Sequence, residues 1–64
     1  MNAIKNDRVC PCCKKTHVEE YEICDVCNWE NDPVQSWKPD LKGGANEMSL
    51  NEARLAYKNN KPIH

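Results

Sequence analysis

A chain of 64 residues has room for one domain, 1–64, and carries little apolar material: hydrophobic residues make up 39% of it, five of them cysteines, and Phe is absent. The net charge of −1 is the wrong sign for general attraction to nucleic-acid phosphates. The mean hydropathy of −0.90, with no long apolar run, leaves no candidate membrane span.

Residues 1–8 are polar, and only Ile4 could dock on a core. They contain no apolar h-region, so the expectation is a chain without a signal peptide that stays in the cytoplasm with reduced thiols. The first pattern follows at Cys10-Pro11-Cys12-Cys13. Next, Lys14-Lys15-Thr16-His17-Val18 reads as a strand, Glu19-Glu20 as a turn, and Tyr21-Glu22-Ile23 as a return strand, with Thr16 and Val18 sharing one face. The second pattern is Cys24-Asp25-Val26-Cys27. Asn28 follows it, a residue type that tolerates the left-handed backbone that such a bend needs. Trp29 begins a short extended piece that ends at the turn signal Asn31-Asp32-Pro33.

Residues 34–47 show no periodicity and read as irregular loop, with Trp37 and Leu41 as anchors into the core. Gly43-Gly44 supplies backbone freedom for the turn into the last element. That element, 49–59, is a helix. Ser49-Leu50-Asn51-Glu52 is a capping box, Met48 and Ala53 form a weak staple, and Leu50, Ala53 and Tyr57 fall on one stripe beside Ala56. Pro62 forbids continuation.

The chemistry lies in the cysteines. Cys10/Cys13 and Cys24/Cys27 are two C-x-x-C pairs with ten residues between them. Each pair can curl into a knuckle with both sulfurs on one side, and two knuckles supply the four corners that Zn²⁺ prefers. The expected ligands are therefore Cys10, Cys13, Cys24 and Cys27, with Fe as the alternative metal. The fold class that follows is a small metal-bound α+β domain: a zinc-ribbon or rubredoxin-knuckle-like β-hairpin with one C-terminal α-helix.

Cys12 is expected outside the ligand set, because ligation through Cys10 and Cys12 would leave too little loop to curl round the sulfurs. It reads as filler, the alternative being a thiol activated by Lys14 and Lys15. Whether Cys12 or His17 substitutes for one of the four ligands stays open; the preferred reading leaves His17 on an exposed strand. Trp29, two residues beyond Cys27, is expected to be buried over the thiolates. His64 has no evident partner.

In combination, Cys10-Pro11-Cys12-Cys13, the run from Tyr21 to Gln35 around Cys24-Asp25-Val26-Cys27-Asn28-Trp29, Gly43-Gly44-Ala45-Asn46 and Ser49-Leu50-Asn51-Glu52-Ala53-Arg54 resemble the cysteine-rich CPCC family of small, mostly bacterial proteins. The likeness spans roughly Cys10 to Arg54. It implies a metal-binding domain and no particular activity. Members often carry Gly after the first knuckle and Pro inside the second, where this chain has Lys14 and Asp25. A left-handed backbone at Lys14 would be strained.

No nucleophile–base constellation or phosphate loop is present, so the chain is not expected to be an enzyme. Six acidic residues and no Lys or Arg lie between Glu19 and Asp32, a segment that reads either as a solvated face or as a docking surface for a basic partner. The leading expectation is a structural zinc module that binds an unidentified protein. A nucleic-acid-binding zinc ribbon is one alternative, with Lys5, Arg8, Lys14 and Lys15 as its small basic corner. A rubredoxin-like iron or thiol redox protein is the other.

Overall fold

The computed structural model describes residues 9–64. Ile4, Lys5 and Arg8 lie outside them. Two helices, α1 (Pro33–Trp37) and α2 (Leu50–Lys58), are joined to two cysteine knuckles and held by a small core. Half of the ten buried apolar residues in that core are the cysteines themselves; Val18, Trp29, Leu50, Ala53 and Ile63 complete it.

The knuckles are built alike. In the first, Val9 pairs antiparallel with His17, the Cys10 N–H donates to the Thr16 carbonyl at 2.9 Å, and the Lys14 N–H donates to the Cys10 carbonyl at 2.9 Å. In the second, Ile23 pairs with Glu30, the Cys24 N–H reaches the Trp29 carbonyl at 2.9 Å, and the Asn28 N–H reaches the Cys24 carbonyl at 2.8 Å. Each bend closes on a left-handed residue, Lys14 at φ 59° and Asn28 at φ 72°. The expectation for Asn28 holds. Lys14 adopts the conformation that costs a side chain with a Cβ about 1–2 kcal/mol.

The expected hairpin is not formed as a sheet; the described residues contain isolated bridges only. Residues 21–23 pair with 29–31 instead of with 14–18, through Tyr21 N–H to Asn31 C=O at 2.8 Å and Asn31 N–H to Glu22 C=O at 2.9 Å. Tyr21 itself is left-handed at φ 61°, which breaks the extended run a hairpin arm needs. Val18 is buried, whereas Tyr21 and Ile23 stay exposed.

Helix α1 corrects the reading of 34–47 as loop. Asp32 is its N-cap, its carboxylate accepting from Val34 N–H at 2.8 Å and Gln35 N–H at 3.4 Å, and Pro33 supplies a preset first position. Lys38, just before Pro39, leaves helical geometry and ends it. Trp37 does not anchor the core: it is 78% exposed, with the Lys38 ammonium 5.6 Å from its ring centroid. Leu41 is exposed as well.

The anchor of this region is polar. Gln35 is fully buried; its Nε2 donates to the carbonyls of Leu41, Asn46 and Met48 at 3.0–3.2 Å, and its Oε1 accepts from the Asn46 backbone and side chain. Asn46 in turn pairs both ways with the Glu30 backbone at 2.9 Å. Each of these buried groups finds partners, so the clamp replaces the apolar packing that residues 34–47 lack. Gly44 fits against it because a Cβ there would lie 2.7 Å from the Asp32 carboxylate and 2.8 Å from the Gln35 side chain.

Helix α2 follows its sequence signals. The capping box is present in both directions, Ser49 Oγ accepting from Glu52 N–H at 3.1 Å and the Glu52 carboxylate from Ser49 N–H at 2.9 Å. Leu50 and Ala53 are buried, and Met48, Ala56 and Tyr57 pack on the core beside them. The Arg54 Nε donates to the Pro11 carbonyl at 3.0 Å, tying the helix to the first knuckle. Beyond α2 the chain turns back: Lys61 N–H bonds to the Ala56 carbonyl at 2.8 Å, and Ile63 inserts into the core.

Candidate metal centre

The similar architecture of the knuckles places their thiols face to face. Cys10 Sγ lies 3.6 Å from Cys27 Sγ, and Cys13 Sγ lies 3.7 Å from Cys24 Sγ. All four sulfurs fall within 4.8 Å of one another, and all four residues are buried. Each close pair joins one knuckle to the other, and none of the cysteines is in a disulfide. Zinc–sulfur bonds of ~2.3 Å in a tetrahedron put sulfurs about 3.8 Å apart, so the observed spacing suits a tetrathiolate centre. Iron in the same donor set has similar needs, and the geometry does not choose between them.

Backbone N–H groups point into the cluster from the curl of each knuckle. The Val26 N–H donates to Cys24 Sγ at 3.4 Å. Burial raises the Cys24 pKa, but the N–H groups of Cys27 and Val26, together with the neighbouring Cys27 and Cys13 thiols, outweigh it and hold the thiol down at about 7. Burial dominates at Cys13 and Cys27: it pushes Cys13 up despite the Lys15 N–H, and Cys27 well up despite the Trp29 N–H. A cluster of this kind is thiolate only with a counter-charge beside it, which is the chemistry a bound dication supplies.

Cys12 is buried, 8% exposed, and lies outside the set of four sulfurs. Burial, reinforced by its cysteine neighbours, pushes its thiol up to about 11, opposite to the activation that Lys14 and Lys15 would give. His17 stays on the exposed surface, its Nε2 2.6 Å from the Glu19 carboxylate, and is not part of the cluster. Trp29 is fully buried in the core with the cysteines. Its indole N–H finds no acceptor among the described residues.

Two supports had no reading in the sequence. The first is the Asp32–Gln35–Asn46 clamp, in which Asp32 also accepts from Ala45 N–H at 3.0 Å. That bond, with those from Val34 and Gln35, holds its carboxyl below the usual range despite burial. The pair Asp32-Pro33 was its signal, since it starts a helix as readily as it makes a turn. The second is the segment 61–64. The Ile63 carbonyl accepts from the Asn28 side chain at 3.1 Å, and the His64 carbonyl accepts from Met48 N–H at 3.1 Å. A lone Ile beside Pro62 carries no periodicity that could have announced it.

Among the described residues no helix is long and apolar enough to cross a membrane. No curated protein matches the chain. The model of the family described as cysteine-rich CPCC matches residues 8–60, well over half of the sequence, and takes in both knuckles, the polar clamp and α2. This chain belongs to the cysteine-rich CPCC family.

Proposed function

We propose that the chain is a zinc-binding protein whose tetrathiolate centre is structural and whose work is to bind another protein, not to catalyse a reaction. The observation that carries the structural reading is the closed donor set. Four buried sulfurs of one chain, at tetrahedral spacing, would fill the shell of a zinc ion and leave no position for a water or substrate. The reading of protein binding rests on the surface next to it. Tyr21, Ile23 and Val26 are exposed apolar side chains among the carboxylates of Glu20, Glu22 and Asp25. Nucleic acid is disfavoured there by charge, since the whole stretch from Thr16 to Trp37 lacks Lys and Arg.

Iron is the second reading, since the same four thiolates hold a single iron as readily as a zinc. Native mass spectrometry of protein purified without added metal, with visible absorbance recorded anaerobically, separates the two. One zinc per chain and no visible band is the expected result; a coloured iron protein would replace the zinc reading. For the partner, recovery of a stoichiometric protein from native lysate is expected, and its failure at several protein concentrations would remove the interaction reading.

A further inference from the structure

The four sulfurs of the candidate metal centre are also placed to bond to one another. Cys10 Sγ stands 3.6 Å from Cys27 Sγ and Cys13 Sγ 3.7 Å from Cys24 Sγ, and all four are free thiols in the core. A disulfide of about 2.0 Å asks each pair to close by roughly 1.6 Å more, a movement within reach of side-chain rotation. Both close pairs run from one knuckle to the other. Bonds made there would fasten the same two halves of the chain that a four-coordinate ion would fasten. Bonds inside a knuckle would leave the halves unlinked.

A small oxidant has a way in. Cys24 and Cys27, one residue from each close pair, line an open groove of about 690 Å³ between the second knuckle and the segment after α2. Cys10, Cys12 and Cys13 are not part of that lining.

We propose that the four cysteines are a redox switch, in which a peroxide converts them to the crossed disulfides Cys10–Cys27 and Cys13–Cys24 and so empties the metal centre. The cross-links stand on the thiol geometry alone; release of an ion rests on the metal reading above. The Cys27 sulfur attacks one peroxide oxygen, the O–O bond breaks, and water leaves behind a sulfenic acid. The Cys10 sulfur then displaces that oxygen as a second water, and the S–S bond forms. Cys24 and Cys13 repeat the sequence with a second peroxide. Each pair gives up two electrons and each peroxide takes two. From four thiolates round a dication, the whole change draws four protons from solvent and yields four waters and the free ion. Cys12 lies outside the set and keeps its thiol.

The test treats the reduced, zinc-loaded full chain with two equivalents of hydrogen peroxide and then alkylates the remaining thiols. The stretch from Thr16 to Trp37 lacks Lys and Arg, so trypsin leaves Cys10, Cys12 and Cys13 on one peptide and Cys24 and Cys27 on another. The expected product is these two peptides joined by two disulfides. Fragmentation should give the pairs Cys10–Cys27 and Cys13–Cys24 with alkylated Cys12, and a chromogenic chelator should collect one zinc per chain. Cys12→Ser should give the same cross-links, and dithiothreitol with zinc should restore the starting mass and metal content.

Any other pairing, a bond to Cys12, sulfinic acids, cross-linked dimers or unreacted thiols would overturn the proposal, as would failure of the reductant to reverse the change. If protein purified without added metal carries none and still forms the crossed pairs, the metal reading falls and the cross-links stand.

Discussion

The two knuckles are one device built twice from unequal residues. Each turns a C-x-x-C pair with a hydrogen bond from the residue after the second cysteine to the carbonyl of the first, and each closes on a left-handed backbone. The first places Cys12 inward, Lys14 at the left-handed position and exposed Lys15 beyond it. The second places Val26 outward, Asn28 at the left-handed position and fully buried Trp29 beyond it. The first arm is one residue longer, eight positions from Val9 to His17 against seven from Ile23 to Glu30. Identical backbone chemistry therefore tolerates different side chains, and the difference divides the labour. The second knuckle carries the core anchor and a backbone-compatible Asn, while the first depends more on the sulfurs and on the Arg54 bond from α2.

Removing the ion should erase the comparison altogether. A structural tetrathiolate zinc contributes on the order of 10 kcal/mol, more than a core that is half thiol can replace. Chelation at neutral pH, Cys10→Ser and Cys24→Ser should each abolish the cooperative thermal melt. An apoprotein that still melts cooperatively would show that the knuckles stand without metal.

The next effect is lopsided. Trp29→Ala should cost about 3–5 kcal/mol in chemical denaturation, and Lys15→Ala at the matching position less than about 0.5 kcal/mol. Comparable losses would mean that the core leans on both knuckles alike.

Smaller effects should separate the middle residues. Cys12→Ser buries a hydroxyl in place of a thiol and should cost about 1–2 kcal/mol while metal stoichiometry stays the same; Val26→Ser, half exposed, should stay within about 0.5 kcal/mol. Loss of the metal in Cys12→Ser would promote Cys12 to a ligand.

The smallest difference is the sharpest. Lys14→Gly should stabilise by about 0.5–1 kcal/mol by relieving a side chain with φ 59°, whereas Asn28→Gly should change stability by only a few tenths of a kcal/mol. Asn28 also gives a side-chain bond to Ile63 that Gly cannot, so a loss there exceeding the Lys14 gain would point to the tail, not to the backbone.

What could be read in advance was local and chemical. Ser49 and Glu52 announce α2, Asn28 announces a left-handed bend, and paired C-x-x-C spacing announces a thiol cluster, because each signal depends on neighbours a few positions away. The errors came where a local signal had two meanings or the partner was remote. Asp32-Pro33 starts both turns and helices, and what decides for a helix is remote: Ala45 N–H on the Asp32 carboxylate, and the Leu41, Asn46 and Met48 carbonyls on the Gln35 side chain. Trp37 looked like an anchor because so few large apolar residues exist, yet buried Gln35 two positions earlier took that place. Tyr21 in a left-handed conformation is contrary to its own strand preference and hid the absence of a hairpin.

The crossed arrangement of the sulfurs, Cys10 near Cys27 and Cys13 near Cys24, makes the cluster a long-range closure of the chain. The backbone bonds within either bend span only a few residues and can form early, whereas the crossed contacts bridge separations of 17 and 11 positions. With a metal ion in that cluster, its capture by one bend would recruit the other, and the slow event would be the meeting of the two bends round a shared atom. Refolding speed should then follow the supply of free ion until capture ceases to limit it.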